Sequence, residues 1–137
     1  MSQHIEYRAH APLNPEDVCA LLRHTDWAGG RDLAGVTTML RGSVGYVCAR
    51  NDGVLIGFAR AFGDGVYRAV IEDVVVHPDY RGAGVGHKLV TLLLQQLEAV
   101  EETILFCVPE REGFYRAHGF ERHGVSAMSR RGREQAR

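Results

Sequence analysis

The sequence is poor in the residues that mark several specialised protein classes. It contains three cysteines and one tryptophan in 137 residues. The cysteines, Cys19, Cys48 and Cys107, are odd in number and far apart, so they fit neither a disulfide framework nor a zinc knuckle. The seven histidines show no metal-ligand spacing. We therefore expect no metal site and a reducing, cytoplasmic location.

Neither sign of charge is in excess, and long hydrophobic runs are absent. There are 16 basic and 17 acidic residues, for a formal net charge of −1. Proteins that bind nucleic acid usually carry a basic excess, so no nucleic-acid partner is predicted. No apolar run approaches the roughly 18–20 residues of a membrane span, and the first ten residues lack the apolar core of a signal peptide. No membrane partner is predicted.

What is present is typical of one globular domain. Hydrophobic residues make up 45% and charged residues 24% of the chain, close to the averages for globular proteins. We predict a single domain over residues 1–137, with residues 129–137 as a frayed tail.

The first half of the chain reads as short elements followed by an antiparallel meander. Asn14 and the proline after it are typical of a helix start. Turn residues at 51–53 and 63–65 separate runs rich in β-branched and aromatic residues. The predicted elements are a strand at His4–Ala9, helices after Asn14 and at Asp32–Leu40, and strands at Val44–Arg50, Val54–Phe62 and Val66–His77.

The second half alternates between strands and helices, which gives an α+β class overall. A glycine-rich loop precedes a helix with leucines on one face. Thr103–Val108 is predicted to be a buried strand, because it is nearly all apolar and partly β-branched. A short helix at Glu110–His118 and a last strand at Val125–Met128 complete the prediction.

The glycine-rich loop, Arg81–Gly86, is the segment most suggestive of chemistry. Free backbone N–H groups at a helix N-terminus attract anions, and glycines let a phosphate approach the main chain. Arg81 and Lys88 would add positive charge at its rim. The spacing fails both the dinucleotide fingerprint and the phosphate loop of nucleotide hydrolases, because His87 occupies a position where each needs glycine. An ordinary strand-to-helix turn remains an alternative at this point.

Two motifs together make the sequence resemble the GNAT superfamily of N-acetyltransferases. Val74–Gly86, VVVHPDYRGAGVG, is similar to the family's acetyl-CoA motif, and Gly113–Phe120, GFYRAHGF, is similar to its F-Y-x-x-x-G-F motif. The resemblance covers the chain from about His4 to Met128. Within the superfamily, the second half resembles glucosamine-6-phosphate N-acetyltransferases and small bacterial enzymes of the arylalkylamine type.

The resemblance implies a fold, a cofactor and the residues that hold it. The fold would be a mixed, mostly antiparallel sheet flanked by helices, with central strands that splay apart. Acetyl-CoA would be the co-substrate, with its pantetheine arm along the main chain of the central strand and its diphosphate on the glycine loop. The residues concerned are Val74, Val75, Val76, Arg81, Gly82, Ala83, Gly84, Val85, Gly86 and Lys88.

The same resemblance implies direct acetyl transfer to the primary amine of a small molecule in a ternary complex. Tyr115 would be the general acid. The general base would be Glu72, directly or through a water molecule, and Asp73 stays open as an alternative base. Asp73, Trp27 and Phe62 would contact the acceptor. Pairing of the two acids with neighbouring arginines is the alternative for Glu72 and Asp73.

Two other functions stay open at this point. They are a non-catalytic acyl-CoA sensor and an acetyltransferase for protein lysines or N-termini. A homodimer is a family-level expectation. One departure is that the asparagine which many members carry before the F-Y motif is missing, and Arg111 or Glu112 is the candidate to replace it.

Overall fold

The computed structural model describes residues 4–132. Local signals in the sequence account for the element boundaries. The side chain of Asn14 caps the first helix and that of Asp32 caps the second. The elements are β1 (Ile5–Ala9), α1 (Pro15–Leu22), α2 (Leu33–Arg41), β2 (Ser43–Asn51), β3 (Val54–Gly63), β4 (Arg68–Val76), α3 (Val85–Gln96), β5 (Glu102–Leu105) and α4 (Glu112–Arg116), with 3-10 turns at Pro78–Tyr80 and Pro109–Arg111.

The five strands form one sheet in the order β1-β2-β3-β4-β5. The first three pairings are antiparallel, and β5 is parallel to β4. Asp52 and Gly53 both have positive φ, +49° and +81°, in the turn between β2 and β3. Such turns match the twist of the strands that they join. The predicted α+β fold with a mixed, mostly antiparallel sheet is confirmed.

The neighbouring strands β4 and β5, of which β5 is the edge strand, are paired over only part of their length. Arg68–Ile71 pairs with Glu102–Leu105, and the recorded pairing ends there. Of the rest of β4, Glu72, Val75 and Val76 pair with β3, and an irregularity interrupts the pairing at Asp73 and Val74. This stretch has no strand on its other side within the described residues. A gap therefore opens beside the second half of β4, as expected for splayed strands.

Helices cover both faces of the sheet and form two apolar clusters. On one face α3 packs through residues such as Leu89 and Leu93, and on the other α1 and α2 pack through Leu22 and Val36. Gly57 on β3 allows α3 to lie close, because a Cβ there would be 3.1 Å from Leu89. The close contact fixes where the N-terminus of α3 meets the gap. No helix within residues 4–132 is long and apolar enough to cross a membrane.

Three predicted strands were wrong in detail. The last strand at Val125–Met128 is absent, because described residues 121–132 form no helix or strand. The strand predicted at Thr103–Val108 is shorter and not buried: β5 ends at Leu105, and Phe106 and Val108 are 64% and 58% exposed. The apolar composition there reflects a surface beside the gap rather than a core strand. The strand predicted from Val66 begins at Arg68.

Candidate active site

A cleft of about 870 Å³ occupies the gap beside β4. Four segments line it: the loop after α1, the second half of β4, the glycine loop with the start of α3, and the chain from the end of β5 into α4. The motifs that were far apart in sequence therefore share one cleft. Its lining residues are Thr25, Asp26, Trp27, Arg31, Ile71–Val76, Tyr80, Arg81, Gly82, Gly84, Val85, Gly86, His87, Phe106, Cys107, Val108, Arg111, Phe114 and Tyr115.

The glycine loop presents an uncapped helix N-terminus to the cleft. Gly82 and Gly84 have φ of +79° and +81°, a conformation that other residues adopt only with strain. Gly84 is the N-cap of α3 and makes no side-chain capping bond, so the first N–H groups of α3 lack that partner. The Arg81 guanidinium donates to the Val76 carbonyl at 3.3 Å and lines the same cleft. This arrangement suits a diphosphate.

The main chain of β4 is open toward the same cleft. His77 N–H donates to the Ile56 carbonyl on β3 at 2.8 Å. Successive N–H groups of a strand point to opposite edges. Because the His77 N–H faces β3, the Val76 N–H faces the other edge, and the Val74 N–H does so as well. The N–H of Val76 therefore points away from β3 and into the gap. An extended, amide-bearing ligand would find strand-like partners there.

Tyr115 brings a protected phenol to the cleft. Its ring packs edge-to-face against Phe114, with 4.9 Å between centroids, and against Phe120, with 6.1 Å. Burial raises the pKa of Tyr115 above its ordinary value, with a smaller contribution from the neighbouring Cys107. The hydroxyl group therefore stays protonated at neutral pH, which is the form that a proton donor needs.

Glu72 and Asp73 both line the cleft but have different environments. The Glu72 side chain is 39% exposed, and its carboxylate lies 3.6 Å from the Arg60 guanidinium. The Asp73 side chain has no exposed area, and it accepts hydrogen bonds from Arg60 at 2.6 Å and Arg31 at 2.9 Å. The predicted pairing with a neighbouring arginine thus holds for both acids. Glu72 is the one with a side chain that solvent and a substrate reach.

The loop between α1 and α2 carries Trp27, a predicted acceptor contact, and lines one part of the cleft, which we call the acceptor end. Trp27 is 56% exposed there, and the Arg31 guanidinium lies 5.8 Å from the centre of its ring. Asp26 adds a carboxylate to the same wall.

The structure does not bring every predicted residue to the cleft. Phe62 is absent from the lining and packs beneath Arg60, 5.3 Å from the guanidinium carbon to the ring centre. Lys88 is on α3 but directs its ammonium group at Tyr7, 5.9 Å from the ring centre. Ala83 is likewise not in the lining.

Several lining residues were missed or left undecided by sequence reasoning. Of the two candidates for the missing asparagine, Arg111 lines the cleft, whereas Glu112 pairs with Arg122 and Arg116. Those guanidinium groups, Arg122 first, lower the pKa of the Glu112 carboxyl. Arg31 gave no local signal, because its partners are distant in sequence. Within the described residues, no three metal-ligating side chains are arranged to hold an ion.

Comparison with protein families shows which family the chain belongs to. The family model described as "Acetyltransferase (GNAT) family" matches residues 7–120. The chain belongs to this family. The match spans both motifs and all five strands except the first two residues of β1, so the superfamily resemblance seen in the sequence is confirmed.

Curated relatives of this GNAT chain share about half of it. It is 45% identical over 78 residues to "Uncharacterized N-acetyltransferase ycf52" of Pyropia yezoensis, covering 54% of this chain and 45% of that protein. It is 43% identical over 67 residues to "Serotonin N-acetyltransferase 2, chloroplastic" of Oryza sativa subsp. japonica, covering 47% and 34%. The chain thus spans less than half the length of these relatives.

Solved structures show the same fold over nearly the whole chain. A GNAT-family acetyltransferase from Streptococcus pneumoniae TIGR4 superposes with a TM-score of 0.82, at 24% identity, covering 95% of this chain and 99% of that one. The glucosamine-6-phosphate N-acetyltransferase of Arabidopsis thaliana has a TM-score of 0.73, at 18% identity, covering 93% and 98%. The aminoglycoside N-acetyltransferase AAC(6')-Iy, solved in complex with CoA, has a TM-score of 0.73, at 22% identity, covering 96% and 97%.

Proposed function

We propose that this chain transfers the acetyl group of acetyl-CoA to the primary amine of a small molecule, by direct attack in a ternary complex. One observation carries the proposal: an uncapped helix N-terminus, an open strand edge and a protonated phenol face the same cleft. These are the features that a diphosphate, an amide-bearing arm and a thiolate leaving group require.

The proposed binding mode follows the length of the cleft. The diphosphate of acetyl-CoA lies on the N–H groups at Val85 and Gly86, with Arg81 alongside. The pantetheine arm continues along Val74–Val76 in the manner of an added strand. The Val76 N–H then donates to the thioester carbonyl and stabilises the negative charge that develops on its oxygen.

The chemical step exchanges a C–S bond for a C–N bond. The ammonium form of the acceptor first loses one proton to solvent. The free amine then attacks the acetyl carbon and gives up a second proton to Glu72, directly or through a water molecule. The C–S bond breaks, and the leaving sulfur takes one proton from Tyr115, which solvent later restores. A thiol has a pKa of about 8.5 and an ordinary tyrosine about 10, so the phenol is still protonated when the thiolate forms.

A cationic amine suits the charge at the acceptor end. The carboxylates of Asp26, Glu72 and Asp73 outnumber the guanidinium groups of Arg31 and Arg60. Both arginines are already paired with Asp73, which leaves little cationic capacity for a substrate phosphate. Exposed Trp27 offers a flat apolar surface beside these acids. The rice relative's name, serotonin N-acetyltransferase, fits an amine with an aromatic group.

Acetylation of a protein is the second candidate. The chain is 41% identical over 78 residues to "Histone acetyltransferase TAP1" of Glycine max, covering 54% of this chain and 34% of that protein. A lysine side chain and a small primary amine react in the same way. The two candidate functions therefore differ only in whether the acceptor amine belongs to a protein or to a small molecule.

The deciding experiment measures thiol release from acetyl-CoA with four acceptors: 2-phenylethylamine, butylamine, glucosamine 6-phosphate and a lysine-containing peptide. We expect turnover with 2-phenylethylamine above that with butylamine, and the least with the phosphate. Turnover with the peptide alone would favour the second candidate. Binding of CoA by calorimetry without turnover on any acceptor would favour a non-catalytic acyl-CoA sensor.

We also propose a homodimer and a cytoplasmic location in a bacterial cell. The outer edge of β5 has no strand beside it in the described part of the chain, which leaves backbone groups for a second copy. The location is supported by the free thiols of Cys19, Cys48 and Cys107, which persist in a reducing compartment. Cell fractionation tests the location.

A further inference from the structure

Arg31 joins three separate parts of the acceptor end. Its Nη1 donates to Asp73 Oδ2 at 2.9 Å, and the same nitrogen lies 3.4 Å from the sulfur of Met39 on α2. Its guanidinium carbon is 5.8 Å from the centre of the Trp27 ring. The side chain is 34% exposed, so it stands at the border between the cleft and the protein interior.

Asp73 is a fixed anchor for this contact. Its φ is +57°, it lies where β4 leaves β5, and its side chain has no exposed area. Oδ2 accepts from both Arg31 and Arg60, while Oδ1 is buried without a hydrogen-bond partner in the described residues. A charged carboxylate is costly to bury unless it is paired, so Asp73 needs the hydrogen bonds from Arg31 and Arg60. The same bonds fix the positions of the two guanidinium groups.

The loop that carries Trp27 has one polar connection to β4 in the described residues, besides the burial of Ala28 in the apolar cluster that includes Val75 of β4. Its internal bonds shape the turn: Thr25 donates to the Leu22 carbonyl at 2.7 Å and accepts from Ala28 N–H at 3.0 Å. Among the hydrogen bonds and ion pairs recorded for residues 4–132, Arg31–Asp73 is the one that joins residues 23–32 to β4. The His24 ring lies tilted at 59° against the His77 ring, with 4.4 Å between centroids, beyond the end of that strand.

We propose that Arg31 is a positioning residue that fastens the Trp27 loop to β4 and so makes Trp27 a fixed wall of the acceptor subsite. The catalytic role of this contact rests on the proposed function. A planar guanidinium pairs with a carboxylate along its edge while its face lies over an aromatic ring, which the compact ammonium group of lysine does less well. Loss of Arg31 would free Trp27 and misplace the acceptor, without touching the glycine loop.

The only tryptophan in the sequence is Trp27, so its fluorescence reports on this loop alone. The variants are Arg31→Met and Arg31→Lys, with Arg23→Met as the matched control. Arg23 is an exposed arginine at the end of α1, with no side-chain hydrogen bond or ion pair recorded in the described residues. Acrylamide quenching is measured on the free protein, followed by acceptor KM, kcat and the Kd for CoA.

We expect acrylamide to quench Trp27 more in Arg31→Met than in the wild type. We also expect acceptor KM to rise about tenfold, kcat to fall less than about threefold, and the Kd for CoA to stay unchanged. Arg31→Lys, which keeps the charge beside Asp73, should fold normally and give intermediate values. In an Asp73→Asn background, Arg31→Met should add little further quenching, because the anchor is already weakened.

The proposal is overturned if both Arg31 variants match Arg23→Met in quenching and in acceptor KM. It is also overturned if the Kd for CoA weakens as much as acceptor KM, since that pattern marks general loss of structure. Should Arg31→Met fail to fold, Arg31→Lys carries the same comparison. If the wild type acetylates no amine, the proposed function fails, while the quenching comparison still tests the Arg31 contact.

Discussion

At the scale of single residues, Tyr115 is the group whose environment most clearly suits a chemical role. Phe114 and Phe120 surround its ring, and burial raises the pKa of its phenol. Sequence reasoning singled it out because of the motif around it. The structure adds that Phe114 and Phe120 shield the Tyr115 ring from solvent, which the spacing of residues in the sequence does not reveal.

Tyr115→Phe should lower kcat about 100-fold, because general acid catalysis typically contributes that much or more. The Kd for CoA should change little, since the phenyl ring and its packing remain. Calorimetry and steady-state kinetics with the same amine check both values. Tyr67→Phe is the matched control, since Tyr67 is 62% exposed and outside the cleft. Equal turnover of Tyr115→Phe and wild type would contradict the assignment.

The pH dependence of kcat/KM follows from the direction of the Tyr115 shift. The acid is active when protonated, so its contribution is present below its pKa and lost as pH rises through it. Because burial raises that pKa above the ordinary value of about 10, the midpoint of the alkaline decline should lie above pH 10. A profile over pH 6–11 in wild type and Tyr115→Phe measures this, and a Tyr115-dependent decline near pH 8 would argue against it.

At the scale of elements, the junction between β4 and α3 forms the part of the cleft where we propose that the diphosphate binds. The glycine loop turns the chain from the open edge of β4 into α3, and Gly57 lets α3 lie close on the sheet. The ring of Phe114 on α4 lies 3.4 Å from the position of a Cβ on Gly86. The start of α3 is therefore held between the sheet on one side and Phe114 on the other.

Gly84→Ala should destabilise the fold by about 1–2 kcal/mol, because φ of +81° is costly for a residue with a Cβ. Space is not the obstacle, since no atom lies within 4 Å of that Cβ. Relaxation of the loop should also weaken CoA binding. Urea unfolding and calorimetry measure the two effects.

Gly124→Ala is the control for this substitution, because that glycine is exposed, has ordinary φ and has no atom within 4 Å of a built Cβ. If Gly84→Ala binds CoA as tightly as Gly124→Ala while losing stability, the loop amides are not the diphosphate site.

At the scale of the whole molecule, one edge of the sheet stands out. The outer side of β5 has no strand partner among residues 4–132, and Val125 and Met128 nearby are 72% and 94% exposed. Both residues line a groove with β5, where the last strand was predicted. Apolar side chains beside an unpaired edge favour association with another chain.

The proposed homodimer should therefore depend on this edge. Sedimentation velocity of the wild type is expected to give twice the monomer mass, and the double variant Val125→Asp with Met128→Asp should shift it to monomer. Val66→Asp is the control, since Val66 is 55% exposed and outside this groove. A monomeric wild type at about 100 μM, well above the roughly micromolar Kd of a weak specific complex, would contradict the dimer.

The family, the α+β class and the order of most elements were predictable from the sequence. Their signals are local: a capping Asn14, glycines at 82 and 84 that take positive φ, and alternation along the meander. The motif around Tyr115 is local as well. Such signals are read from neighbouring residues, and each fixes only a few backbone angles.

The tertiary structure decided what depends on contacts between distant residues. Asp73 is sequestered rather than exposed because Arg31, 42 positions away, and Arg60, 13 positions away, converge on its carboxylate. The predicted strand at Val125–Met128 does not form, although the outer edge of β5 is free beside it, because strand preference depends on packing against neighbouring side chains and Val125 and Met128 are exposed. Which distant side chains and strands come together depends on the path of the whole chain. A pattern of neighbouring residues therefore cannot predict such contacts.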